Sequence, residues 1–271
     1  MRRTLAIGIV VLGLLFVACS EKDSTEPTSS DPMVNIEQAL AEIDSGRVQV
    51  AIRAITPGRD PVSFEMSGAF AAASGDKTLP IASLQYSDRS GIKPKDSSFI
   101  SDGERAWVVN DRGTKEVEGE PLASLRGGHD VAGLSAFNPK SWFRGKPTER
   151  AGEKIAGEPT STYSGDVDAV AVIEDVTRVS ANLGAFVAEK ISDAAREQIR
   201  AAAQNATLEV VAGTDDHLLR SVKFAVDITG DLKALGPVLR ELAANRIEFD
   251  FSMTEINQAV DPPKIPEGAE V

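Results

Sequence analysis

The stretch Thr207-LEVVAGTDDHLLRSVKFAVDI-Thr229 decides the fold. In its second half Val222, Phe224, Val226 and Ile228 alternate with Ser221, Lys223, Ala225 and Asp227. Side chains of a strand point to opposite faces in turn, so this pattern describes a strand with one dry face and one wet face. Thr207 to Gly213 reads as its partner, and Thr214-Asp215-Asp216 supplies the turn. Two strands joined this closely can pair only antiparallel, because a parallel pair needs a crossover of a dozen or more residues.

The same period recurs outward in both directions. Downstream, Ile247, Phe249, Phe251 and Met253 alternate with Glu248, Asp250 and Ser252. Upstream, Val48, Val50, Ile52 and Ala54 form one dry face, and Val62, Phe64, Met66, Gly68, Phe70 and Ala72 another, with Pro57-Gly58 and Asp60-Pro61 between them. Ala82, Leu84 and Tyr86 suggest a third strand and Phe99-Ile100 a fourth. Asp102-Gly103 is a strong hairpin signal before Arg105 to Asn110. Asn110-Asp111-Arg112-Gly113 turns into Thr114 to Val117, and further strands are expected at Glu149 to Ile155 and Ser161 to Val167.

Helical spacing appears in separate places. Ile36, Leu40 and Ile43 predict a helix over 35–45, with Asn35 as its cap and Gly46 past its end. Val170, Ile173 and Val176 predict one over 168–179, and a more polar stretch continues over 183–203 with Ser192-Asp193 as an internal cap. Leu232, Leu235, Val238, Leu239 and Leu242 predict another over 231–244. Residues 119–145, with Pro121, Gly127-Gly128, Phe137, Pro139, Trp142 and Phe143, read as short helices and loops capping an apolar space. About ten half-dry strands cannot lie flat, so the sheet must curl, split or close. The expected fold class is α+β: a strongly curved, unclosed antiparallel β-barrel of about ten strands with helices plugging the concave face.

The start of the chain has a different character. Arg2 and Arg3 precede an apolar run from Leu5 to Val17, then Ala18 and Cys19, the one cysteine in 271 residues. The run is too short for the roughly 20 residues of a spanning helix and has the length of an export signal. Leu14-Leu15-Phe16-Val17-Ala18-Cys19 resembles the lipobox of bacterial lipoproteins, with Phe16 where that family carries leucine. The resemblance implies cleavage before Cys19 and a diacylglycerol on its thiol, with palmitate as an expected acyl chain. An ordinary secretory signal with an incidental cysteine is the alternative, but a lone exported cysteine has no disulfide partner. Ser20 to Pro32 holds no large apolar residue and reads as a disordered tether. The expected organisation is a signal peptide over 1–18, lipidated Cys19 and tether over 19–33, one domain over 34–260, and an extended tail over 261–271.

Acidic residues outnumber basic ones 41 to 29, and loss of Arg2 and Arg3 takes the net charge from −12 to −14. Nucleic acid, which needs a basic footprint, is excluded as a partner. Attachment to anionic membranes by charge is disfavoured too, which leaves Cys19 as the anchor. Catalytic motifs are absent: His129 and His217 are the only histidines, and no paired-cysteine, H-x-x-x-H or Gly-x-Ser-x-Gly string occurs. His217, in the hairpin turn, reads as a solvated residue. The chain is expected to have no cofactor, no metal and no enzymatic turnover.

Larger features fall in a recognisable order. After the lipobox and tether come a hairpin from Ser101 to Trp107, Pro139 to Trp142, and Gly157-Glu158-Pro159-Thr160 leading into Tyr163-Ser164-Gly165-Asp166-Val167-Asp168. Gly213-Thr214-Asp215-Asp216-His217-Leu218-Leu219 follows late in the chain. The ensemble resembles the LppX/LprAFG-type lipoproteins, relatives of the LolA and LolB lipoprotein-sorting proteins. That resemblance implies an open half-barrel with a hydrophobic cavity, carriage of a lipid or lipidated molecule, and residence on the outer face of the cytoplasmic membrane. It further implies a monomer that meets an envelope transporter or lipoprotein partner. The expected cavity lining is Val50, Ile52, Phe64, Met66, Phe70, Leu84, Val222, Phe224, Val226, Phe249 and Phe251. An interaction module with a filled core, acting as chaperone or sensor, is the alternative.

Overall fold

The computed structural model describes residues 29–89, 94–119, 134–182, 191–229, 245–266 and 269. Among the described residues eleven strands form a single antiparallel sheet: β1 (Ser45–Ile55), β2 (Val62–Ala71), β3 (Ile81–Asp88), β4 (Lys95–Asp102), β5 (Ala106–Asn110), β6 (Gly113–Glu116), β7 (Thr148–Ala151), β8 (Thr160–Ser164), β9 (Ala203–Gly213), β10 (Leu219–Ile228) and β11 (Arg246–Thr254). Their order is β6-β5-β4-β3-β2-β1-β11-β10-β9-β8-β7. Two meanders therefore meet where β1 pairs with β11, from Arg47 opposite Thr254 to Ile55 opposite Arg246. The outermost strands β6 and β7 do not pair, so the barrel is unclosed.

Sheet curvature is served locally by Gly68, at φ +153° in the middle of β2. A Cβ there would lie 2.0 Å from the Ser83 carbonyl oxygen on β3, so the two backbones approach at a distance only glycine allows. Three helices are described: α1 (Pro32–Leu40), α2 (Ala169–Asn182) and α3 (Asp193–Ala202). Met33, Ile36 and Leu40 of α1, Val170, Ile173 and Val176 of α2, and Ile199 of α3 join the inward strand residues in one hydrophobic core. Helices thus cover the concave face, as the alternation and the helical spacing required.

Several boundaries differ from expectation. The first helix starts earlier than 35: Asp31 caps it, accepting from the Met33 N–H at 3.0 Å, and Pro32 takes the first position, where its missing N–H costs nothing. Asn35 is not the cap. It is buried and exchanges hydrogen bonds with Ser29, accepting from its N–H at 3.2 Å and donating to its carbonyl at 3.0 Å. Ser192 does cap α3, accepting from the Ala195 N–H at 3.2 Å. The helix ends at Ala202, short of the expected 203, and Ala203 to Ala206 belong to β9, with Ala203 opposite Ile228 across a bulge. Sheet pairing there overrides the helix propensity of an alanine-rich run. The expected helix over 231–244, most of 183–191, the loop around His129, and Cys19 lie outside the described residues. His217 sits in its turn at φ +54° and is half-buried, not fully solvated.

Candidate functional site

Register carries the expected lining residues into lateral rows on the concave face. Leu208, Phe224, Phe249, Ile52 and Phe64 lie side by side across β9, β10, β11, β1 and β2. The next row runs Val210, Val222, Phe251, Val50 and Met66. All eleven residues expected to line a cavity (Val50, Ile52, Phe64, Met66, Phe70, Leu84, Val222, Phe224, Val226, Phe249 and Phe251) are buried in the same cluster. The structure brings all of them together on one face.

Over the centre of that face sits a short irregular segment with two 3-10 turns, Leu134–Ala136 and Pro139–Ser141. Phe137 enters from it and meets Phe251 and Phe249 edge-on, at ring-centroid distances of 5.2 and 6.2 Å. Trp142 packs perpendicular to Phe137 at 5.4 Å. Such edge contacts suit the ring quadrupoles and add about 0.5–1.5 kcal/mol each beyond area burial.

One carboxylate holds this segment. Asp175 of α2, only 2 % exposed, accepts from the Trp142 indole Nε1–H at 2.7 Å and the Asn138 N–H at 2.6 Å. Arg178, one turn on, pairs with its other oxygen and also donates to the Ala136 carbonyl at 3.2 Å. Burial pushes the Asp175 carboxyl above the usual range, against the pull of the Trp142 and Asn138 donors and Arg178. Asp175 was not among the residues singled out from sequence. Its signal is there: it lies three residues after Val172 and four before Val179, both fully buried, so an acid occupies the dry stripe of a helix.

The outer face is different in kind. Gln49, Ser67, Gln85, Ser98 and Val109 form one cross-strand row over β1 to β5. They border a surface groove of about 410 Å³, with Glu65, Ser87 and Asp96 in the neighbouring row. Arg53 reaches Glu65 at 3.4 Å, and Arg89 meets Asp96 at 2.9 Å and, with Ser87, holds its carboxyl below the usual range. Trp107 belongs by register to this outer side yet is buried, with the Arg105 guanidinium 5.0 Å over its ring. Among the described residues no group of three potential metal ligands occurs, and no described helix is long and apolar enough to cross a membrane.

Fold and site together define an open antiparallel half-barrel whose concave apolar face is covered by helices and an aromatic segment. No protein-family model and no curated protein matches the sequence. Among solved structures the chain is similar to MucB in complex with MucA(peri), with a TM-score of 0.29 and 10 % identity over 86 % of this chain and 56 % of that one. It thus spans little more than half the length of that chain. It is also similar to a LolA superfamily protein from Nitrosomonas europaea, with a TM-score of 0.23 and 11 % identity over 85 % of this chain and 94 % of that one.

Proposed function

We propose that the protein is a membrane-anchored carrier of the LppX/LprAFG type, binding a lipid or lipidated molecule against the concave face of its sheet. The observation that carries this reading is the continuity of the aromatic and aliphatic rows from β9 through β11 to β2, covered by separate helices and not by a second sheet. A solvated acyl chain costs about 0.8 kcal/mol per exposed methylene, so a carrier needs a large dry surface more than any catalytic group. Helices that rest on such a face by side-chain packing can part from it without breaking the sheet ladder. Cys19 would carry the anchor, placing the domain on the outer face of the cytoplasmic membrane, where an envelope transporter or lipoprotein would load or unload it as a monomer.

Solvent extraction of the exported protein is the direct test. Co-purified lipid and saturable uptake of a fluorescent fatty-acyl probe are the expected results. Neither lipid nor uptake would overturn the carrier reading. A Cys19→Ser variant should leave the membrane fraction, and undiminished membrane association would sink the anchor. An envelope interaction module is the second reading, favoured by the dense packing of Phe137, Trp142, Phe249 and Phe251 at the centre of the face.

A further inference from the structure

The groove on the outer face has a chemistry that the carrier reading leaves unused. Its central row offers two side-chain amides and two hydroxyls, Gln49, Gln85, Ser67 and Ser98, each able to donate and accept. Among the described residues no Lys or Arg lines it, although the chain has 29 such residues. Its two carboxylates, Glu65 and Asp96, are each matched by an arginine that does not line the groove. The groove is therefore close to neutral within a strongly acidic protein.

That combination selects among ligands. An acyl chain would desolvate the amides without replacing their hydrogen bonds. Nucleic acid and other polyanions would find no cation among the described lining residues. For a protein partner the groove's lining holds one aromatic, Tyr86, and register places it in the concave row with Met66 and Val50, so the outer surface offers no aromatic or arginine anchor of the kind that usually dominates such interfaces. Short side chains on a sheet instead leave room for a flat ring to approach, and mixed donors and acceptors suit vicinal hydroxyls. The row crosses five strands, so it extends roughly 19 Å at the usual interstrand spacing. A β-linked sugar chain repeats at nearly that spacing, so successive rings would meet successive strands.

From this geometry we infer that the outer groove over β1 to β5 binds a neutral, extended oligosaccharide. Binding there is independent of whatever the concave face holds.

The test titrates the full-length chain in lipid nanodiscs with cellotetraose and chitotetraose, and with α-linked maltotetraose and a heparin tetrasaccharide as comparators. Saturable binding of at least one β-linked probe is expected, with amide shifts at Ser67, Gln85 and Ser98. Gln85→Ala should weaken it about five- to tenfold, the effect of one or two lost hydrogen bonds. Ser67→Trp, which fills the groove, should abolish it, and Ala225→Gln on the opposite half of the outer face should leave it unchanged. Gln85 and Ser67 are both exposed, and the Gln85→Ala arm stands even where the tryptophan variant folds poorly. No saturable β-linked binding, binding indifferent to both groove variants, or preference for the heparin fragment would each overturn the inference. Acyl-probe uptake reads the other face, so failure here leaves the carrier proposal standing, and the reverse.

Discussion

The two halves of the sheet are alike on the inside and unlike on the outside. On the concave face, β9 to β11 present Leu208, Phe224 and Phe249, and β1 to β2 continue the same row with Ile52 and Phe64. On the outer face, β10 and β11 carry Lys223, Asp227, Arg246, Glu248 and Asp250, with Arg246 bridging Asp227 and Glu248 at 2.8 Å each. Around the groove, β2 to β4 carry mainly Ser67, Ser83, Gln85, Ser87 and Ser98, beside the carboxylates Glu65 and Asp96. Folding demands uniformity only where water is excluded. Where the halves diverge, burial does not decide, so solubility explains one half and recognition is free to explain the other.

The largest expected effect tests the inner likeness. Phe249→Ala and Phe64→Ala, one on each half, should each destabilise by about 3–5 kcal/mol in urea unfolding. A cost below 1 kcal/mol for either would mean that the two halves do not share one core.

Next comes Asp175, the charged exception on the inside. Replacing it by Ala strands the Trp142 and Asn138 donors and should cost about 2–4 kcal/mol. Its pH dependence has a definite sign. The folded-state value lies above the ordinary carboxylate value, so the folded form holds the proton more tightly. That contribution is complete below the ordinary value and is lost as pH rises through the raised one. Asp175→Asn, which cannot titrate, should therefore show a smaller fall in stability across that window. A steeper fall would reverse the assignment.

Smaller effects separate the outer halves. Lys223 lies in register between Asp250 and Glu209, so Lys223→Ala should cost at most about 0.5 kcal/mol, and less at 1 M salt than at 0.05 M. Gln85→Ala should change stability by less than about 0.5 kcal/mol and show no salt dependence. Salt-sensitive unfolding of the Gln85 variant would erase the distinction between the two halves.

Much of this architecture was readable because its signals are local. The alternation in Val222 to Ile228 and in Ile247 to Met253 marked the dry faces, and Asp102-Gly103 marked a hairpin now seen with both the Glu104 and Arg105 N–H groups donating to the Asp102 carboxylate. The first helix was misplaced by three residues at its start, because Asn35 and Asp31 are both good caps and only the Ser29 contact reveals which role Asn35 plays, and by five at its end, because it stops at Leu40 and β1 takes Ser45 and Gly46. Ala203 read as the last helical residue because propensity is a weak prior, and the partner that overrules it, Ile228, lies more than twenty residues away.

By itself, then, the sequence determined which residues face inward, where most turns fall and that the sheet is antiparallel. Each follows from a period or a dipeptide a few residues long. Only the tertiary structure decided that β1 pairs with β11, that Gln49, Ser67, Gln85 and Ser98 share one row, and that Asp175 is enclosed against Trp142 and paired with the half-exposed Arg178. Register and burial relate residues distant along the chain. No local pattern carries them, because a strand's face is fixed by its own pleat while its neighbour is chosen by the packing of the whole.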